Sequence, residues 1–144
     1  MSAGQVYYGE QIKFFDSKTK TEIIQLTSFP CISMALSYYQ NFFTPDSKTL
    51  IFLSQRGAFR DAPYDLFRVD VDGWNLTQLT ELERVRGAVG LWIRDKIYFT
   101  RDNILSSVDM ETFKIEEISP LDNVRELVSN GVLSHNEKYY FAAM

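Results

Sequence analysis

One cysteine and one histidine, Cys31 and His135, are all that 144 residues supply of the two side chains most used for metal and redox chemistry. A single Cys excludes an intrachain disulfide, a thiolate zinc cluster and a CxxC redox pair, and a lone imidazole builds no metal site. Long apolar runs are also missing. No segment approaches the roughly 20 residues that span a bilayer, and MSAGQVYYGEQIKFF has neither a basic leader nor an apolar run of signal length, which points to a cytosolic protein in a reducing compartment. No GxSxG, no Cys–His pair and no glycine-rich phosphate loop is present. The net charge of -4, with fifteen Lys and Arg dispersed along the chain, creates no field that would gather nucleic acid.

What the chain does have is strand patterning. Its length suits one domain with a sizeable core, and no Pro- or Ser-rich linker divides it, so 1–144 reads as a single unit. Eleven Phe and eight Tyr favour strands. Apolar residues recur at period two over 50–53, 66–71, 97–100 and 139–142, each run bounded by Asp, Ser, Asn, Gly or Pro. Helical spacing is confined to two short, weakly amphipathic pieces, 33–39 and 121–128.

The chain also repeats itself. FTPDSKTLIF (43–52), WIRDKIYF (92–99) and LSHNEKYYF (133–141) share a polar turn followed by an apolar strand, and the closing Phe52, Phe99 and Phe141 recur at about 40–50 residues, the length of a four-stranded propeller blade. A second element, DVDGWNLTQLT (70–80), returns as DMETFKIEEIS (109–119) and earlier as DSKTKTEIIQLT (16–27). Pro45 suits the first central position of a turn, and Asp46 and Ser47 can bond their own backbone. Asp72 and Gly73 do similar work. The expectation is an all-β partial β-propeller of antiparallel four-stranded blades: 12–27 is the outer hairpin of a closing blade, 41–80 and 87–119 are blades, and 131–144 begins the next. Fewer than four blades do not normally close a ring. Open strand edges and an apolar blade face should then promote self-association.

TPDSKTLIFLSQR with YDLFRVDVDGWNLTQLT resembles the repeat of TolB-type, WD40-like propellers, whose blades end in Asp-Gly-x-Asn-x-x-x-Leu-Thr, here Asp72 to Thr80. The order of units is similar to the N-terminal blades of the oligogalacturonate lyases: an Asp-x-x-Thr-x-x-x-x-x-x-Leu-Thr hairpin (Asp16 to Thr27), then Tyr38, Tyr39 and Gln40, then the Thr-Pro-Asp turn. That resemblance covers the chain from about Phe14 onward. It implies a cytosolic seven-bladed propeller that cleaves pectin fragments by β-elimination, with an oligogalacturonide as substrate and manganese held by three His and a Gln. Nothing in this chain matches those ligands, so the chain itself is expected to hold no metal. Where the family carries His-Arg-Asn before the Tyr-Gln segment, this chain has Met34, Ala35 and Leu36.

Tyr38, Tyr39 and Gln40 are the candidate substrate contacts, since aromatic faces and amides suit sugars and the segment precedes a blade; packing on an innermost strand is the competing role. Elimination beside a uronate needs a cation for the enolate and a base for the α-proton. Arg56, Arg60, Arg84, Arg86, Arg94 and Arg101 mostly fall in loops and read as solvated groups, one or two of which can face a channel. His135, in SHNEK, takes the place of Pro45 and reads as a solvent-facing turn residue. The DVDG stretch lacks the Gly and Glu spacing of a calcium loop. Adjacent Glu116 and Glu117 on a strand point to opposite faces. Trp74 and Trp92 fit core or blade packing equally well. Two functional classes follow, part of a lyase-like enzyme with its catalytic residues unassigned, or a TolB-like propeller that serves as a protein-interaction scaffold.

Overall fold

The computed structural model describes residues 2–36, 41–56, 62–81, 83–85, 87–93, 95–120, 132–134, 136 and 138–141; for 87–93 and Leu133 only the backbone is described. All regular structure among them is antiparallel strand. The first sheet contains β1 (Val6–Tyr7), β4 (Ser33–Met34), β5 (Thr49–Ser54), β6 (Asp65–Asp70) and β7 (Leu76–Gln78), ordered β1-β7-β6-β5-β4. The second runs β11-β10-β9-β8 from β8 (Gly87–Ile93), β9 (Lys96–Arg101), β10 (Ile104–Asp109) and β11 (Ile115–Pro120). Two hairpins complete the set, β2 (Ile12–Phe15) with β3 (Glu22–Gln25), and β12 (Val132–Leu133) with β13 (Tyr140–Phe141).

The repeated sequences fold into repeated turns, atom for atom. In Thr44–Thr49, Thr44 Oγ1 donates to Asp46 Oδ1 (2.6 Å), Lys48 N to Asp46 Oδ1 (3.1 Å) and Thr49 N to Thr44 Oγ1 (3.0 Å). The 134–139 turn repeats this: Ser134 Oγ to Asn136 Oδ1 (2.7 Å), Lys138 N to Asn136 Oδ1 (3.2 Å), Tyr139 N to Ser134 Oγ (3.0 Å). The second element has its own signature. Asp16 Oδ1 accepts from Thr19 N at 2.6 Å and Thr19 Oγ1 at 2.8 Å, and Asp109 Oδ1 accepts from Thr112 N at 2.7 Å and Thr112 Oγ1 at 2.8 Å. The next residues, Lys20 and Phe113, have φ of 61° and 59°. A side chain that bonds its own backbone fixes a turn without tertiary help.

Strand alternation gives the first sheet two apolar faces. Ile51, Leu53 and Leu66 face the second sheet, where they join Ile97, Phe99 and Val108 in one buried cluster. Phe52, Phe67 and Val69 point the other way and form a second cluster with Leu76, covered by Tyr7 and Leu26 from the N-terminal segment. Arg68 ties the two sheets at their periphery, 3.2 Å from Glu111.

Three expectations change. Ser33–Met34, read as part of a helical piece, is a strand paired to Leu53 and Ser54, because cross-strand bonding outweighs a weak local helical pattern; 121–128 lies outside the described residues. The four-stranded first blade carries a fifth strand, β1, whose Tyr7 ring lies 6.1 Å from that of Phe67. Trp74 is not packed: it sits in the Asp72–Asn75 turn and is 50% exposed. The side chain of Trp92 lies outside the described residues.

These environments separate two aromatic truncations. Phe67→Ala should cost about 3–5 kcal/mol by cavity formation, whereas Trp74→Ala should stay within about 0.5 kcal/mol. Urea unfolding of both variants checks this, and equal losses would contradict the assignment of Phe67 to a closed core.

Candidate functional site

The densest polar chemistry lies where the N-terminal segment crosses the end of β5. Arg56, two residues beyond that strand, donates Nη1 to Glu10 Oε1 (2.5 Å) and Nη2 to Glu10 Oε2 (2.7 Å), a bidentate pair. Its side chain is 2% exposed and that of Glu10 13%. Three rings enclose the guanidinium, with Tyr7, Phe29 and Phe67 centroids 5.0, 5.3 and 5.3 Å from Cζ. Aromatic faces and a planar, weakly hydrated cation make burial tolerable here. Burial pushes the Glu10 carboxyl up, but the Arg56 hydrogen bonds and charge, with backbone donors at Phe29 and Ser28, bring it below its ordinary 4.5.

This corrects the reading of Arg56 as a solvated loop cation. Arg101 is also paired, with Glu83 and with Glu117 (2.9 Å). Arg84 is exposed at a φ of 49°, and Arg60, Arg86 and Arg94 lie outside the described residues. Glu116 and Glu117 do diverge, Glu116 to Lys96 (2.8 Å) and Glu117 to Arg101. Both arginine partnerships span distant sequence, and nothing local paired these charges or marked them as buried.

Tyr38, Tyr39 and Gln40 lie outside the described residues, as does His135. The flanks of the first segment are described. Leu36 and Phe42 are 5% and 4% exposed and belong to the core between the two sheets. Met34 lines a groove of about 250 Å³ between the β2–β3 hairpin and the first sheet, together with Gln25, Leu26, Leu50, Phe52 and Val69 among others. Among the described residues no lining side chain is charged. That volume falls below the roughly 300–1,000 Å³ of ordinary ligand pockets.

Cys31 Sγ lies 3.3 Å from Ser54 Oγ, which is 2.9 Å from Ser33 Oγ. These hydroxyls bridge β4 and β5. Among the described residues no His or carboxylate hydrogen-bonds to them, and a base is what would activate such a nucleophile. Among the described residues no group of three or more His, Cys, Asp or Glu is placed to hold a metal ion. The described donors therefore do not by themselves assemble a manganese site of the kind the resemblance implies.

Two solved structures share this architecture. One is oligogalacturonate lyase from Vibrio parahaemolyticus (TM-score 0.72, 22% identity, covering 94% of this chain and 36% of that chain). The other is an oligogalacturonate lyase in complex with manganese (TM-score 0.75, 22% identity, 95% and 36%). The shared feature is the fold. This chain is a partial β-propeller, an open arc of antiparallel blades, and it spans about a third of the length of those proteins. No protein-family model matches the chain, and no curated protein matches it. Among the described residues no helix is long and apolar enough to cross a membrane.

The Arg56–Glu10 pair sets a stability and a pH expectation. Arg56→Met should cost about 3–5 kcal/mol because it strands a buried carboxylate. Since folding depresses the Glu10 pKa, the pair's contribution is complete above 4.5 and is lost as pH falls through the lower folded value. Denaturant titrations between neutral and acid pH should show wild type losing stability over that window and Glu10→Gln losing less. An identical pH dependence for both would place the acid sensitivity elsewhere.

Proposed function

We propose that this chain forms the opening arc of a lyase-like propeller acting on oligogalacturonides, and that it contributes scaffold and rim without containing a complete elimination site. The carrying observation is the shared architecture over 95% of the chain with an oligogalacturonate lyase described as a manganese complex. A single cysteine suits the reducing cytosol, where we place the protein.

Elimination breaks the C–O bond β to a uronate carboxylate as a base removes the α-proton, and charge on the resulting enolate must be stabilised. Arg56 and Arg101 are each bound to the chain's own carboxylates, so neither is poised for a substrate carboxylate. Tyr38, Tyr39 and Gln40 remain the proposed sugar contacts. A manganese ion, as implied by the resemblance, would supply Lewis-acid stabilisation, with ligands other than those described here. The second reading, a TolB-like scaffold for a protein partner, draws support from Trp74 exposed on a hairpin tip, since Trp is enriched at interface hot spots.

The 144-residue chain, given digalacturonate and manganese, should show no growth of the ultraviolet absorbance of an unsaturated uronate above a protein-free control. Turnover surviving His135→Ala would mean that the base and cation lie within this arc; turnover abolished by that substitution would make His135 a functional group rather than a turn residue.

A further inference from the structure

Residues 4–32 cross the Phe52–Phe67–Val69 face of the first sheet, and one side chain holds both arms of that crossing. Glu10, on the arm that follows β1, takes both terminal nitrogens of Arg56, and Phe29, on the arm that follows β3, stacks on the same guanidinium. The arms also meet directly, Phe29 N donating to Glu10 Oε2 at 3.4 Å. The backbone seams on either side are short. β1 pairs with β7 over two residues, Gly4 N donates to Gln78 O (2.8 Å), Gln78 N to Gln5 O (3.0 Å), and Gln55 N to Ile32 O (2.9 Å).

Little apolar surface backs these contacts. Tyr7 and Leu26 pack on Phe52, Phe67, Val69 and Leu76 but are only partly buried, while Tyr8, Phe14, Phe15 and Ile32 are exposed. Among the described residues, the buried cluster between the two sheets contains none from 4–32. Closure also leaves polar atoms without partners. Gln11 fills the space that a Cβ on Gly73 would need, and both its Oε1 and Arg56 Nε are buried with no hydrogen bond among the described residues. Such atoms cost free energy that contact with water relieves.

We infer that residues 4–32 form a strap that opens as one unit about Arg56 while the two sheets stay folded, and that loss of the Glu10 charge opens it. The hinge falls at β4, whose pairing with Leu53 and Ser54 belongs to the sheet. Opening uncovers Phe52, Phe67, Val69 and Leu76 and leaves the cluster around Ile51, Ile97 and Phe99 covered. Local release of this kind follows where buried apolar contacts are few. The charged and titratable groups around Glu10 are Arg56 from beyond β5 and Tyr7 from β1, with Asp65 at the start of β6 and Glu81 beyond β7 close enough to act on Tyr7. Arg56 is the cation of that set, so a neutral Glu10 leaves a buried guanidinium without its counter-charge, and opening returns it to water. Because folding depresses the Glu10 carboxyl, the latch is complete above 4.5 and fails as pH falls through the lower folded value. The inference rests on contacts between this segment and the first sheet and is separate from the lyase reading.

Hydrogen exchange of the 144-residue chain, read amide by amide by NMR, tests it, because two adjacent amides report different partners. Gln78 N is bonded across the strap seam to Gln5 O, whereas Leu79 N is bonded within the sheet to Leu66 O (2.8 Å). In wild type the Gly4, Gln78 and Gln55 amides should share one opening and be less protected than Leu79. Glu10→Gln should lower the protection of all three by about 10- to 100-fold, the effect of losing a charged hydrogen bond, and leave Leu79 unchanged. Wild type brought below pH 4.5 should follow the same pattern. Equal loss at Gln78 and Leu79, loss at Gly4 and Gln78 without Gln55, or no loss at all would each overturn the strap. A Glu10→Gln chain without folded sheets would overturn it as well, and the wild-type comparison of Gln78 with Leu79 decides without any variant.

Discussion

A sheet with apolar side chains on both faces cannot stand alone in water, and the first sheet is of that kind. Ile51, Leu53 and Leu66 need one cover, and Phe52, Phe67 and Val69 need another. The chain meets the first need with the next repeat, so the interface between sheets carries the largest cluster. The second need falls to residues that precede the repeat. Tyr7 and Leu26 are drawn onto that face, and β1 pairs with β7 as a consequence of Tyr7 being held there. The groove beside Leu26 marks where this cover stops.

Arg56 follows from the same requirement. A segment laid over an apolar face without a full strand pair has few backbone bonds to hold it, and a bidentate ion pair within aromatic rings supplies direction as well as attraction. Burial of both charges is costly, and the pair recovers that cost only because its geometry is good. Arg56 Nε has no hydrogen-bond partner among the described residues, which leaves part of the penalty in place. A cation committed in this way is structural, whatever chemistry the surrounding fold supports elsewhere.

Legibility in the sequence followed the range of each interaction. The Thr44-Pro45-Asp46 and Asp16-to-Thr19 turns were readable because their hydrogen bonds close within five residues, so the sequence pattern and the structure are one fact. The long strands were readable because their alternation spans six residues. The two-residue strands β1 and β4 have no pattern of their own. They exist through Leu76, Thr77, Leu53 and Ser54, residues far along the chain. Glu10 and Arg56 are likewise distant partners, and each alone resembles a surface charge. Trp74 was misread for the opposite reason: its size suggested a core, while its turn position dictated exposure.

The same logic separates this arc's fold from its chemistry. Blade architecture depends on alternation and turns, which tolerate wide substitution, and that is why it survives at 22% identity to the lyase structures. A sugar site depends on a few side chains at fixed points, and one motif of the resemblance bears on it directly. Where the resemblance implies His-Arg-Asn, this chain places Met34 along the apolar groove and Leu36 in the core between the sheets. The Leu36 position cannot take Asn without burying a polar group that needs a new partner. In this chain only Leu36 of that stretch is committed to packing between the sheets, while Met34 and Ala35 stay exposed ahead of it.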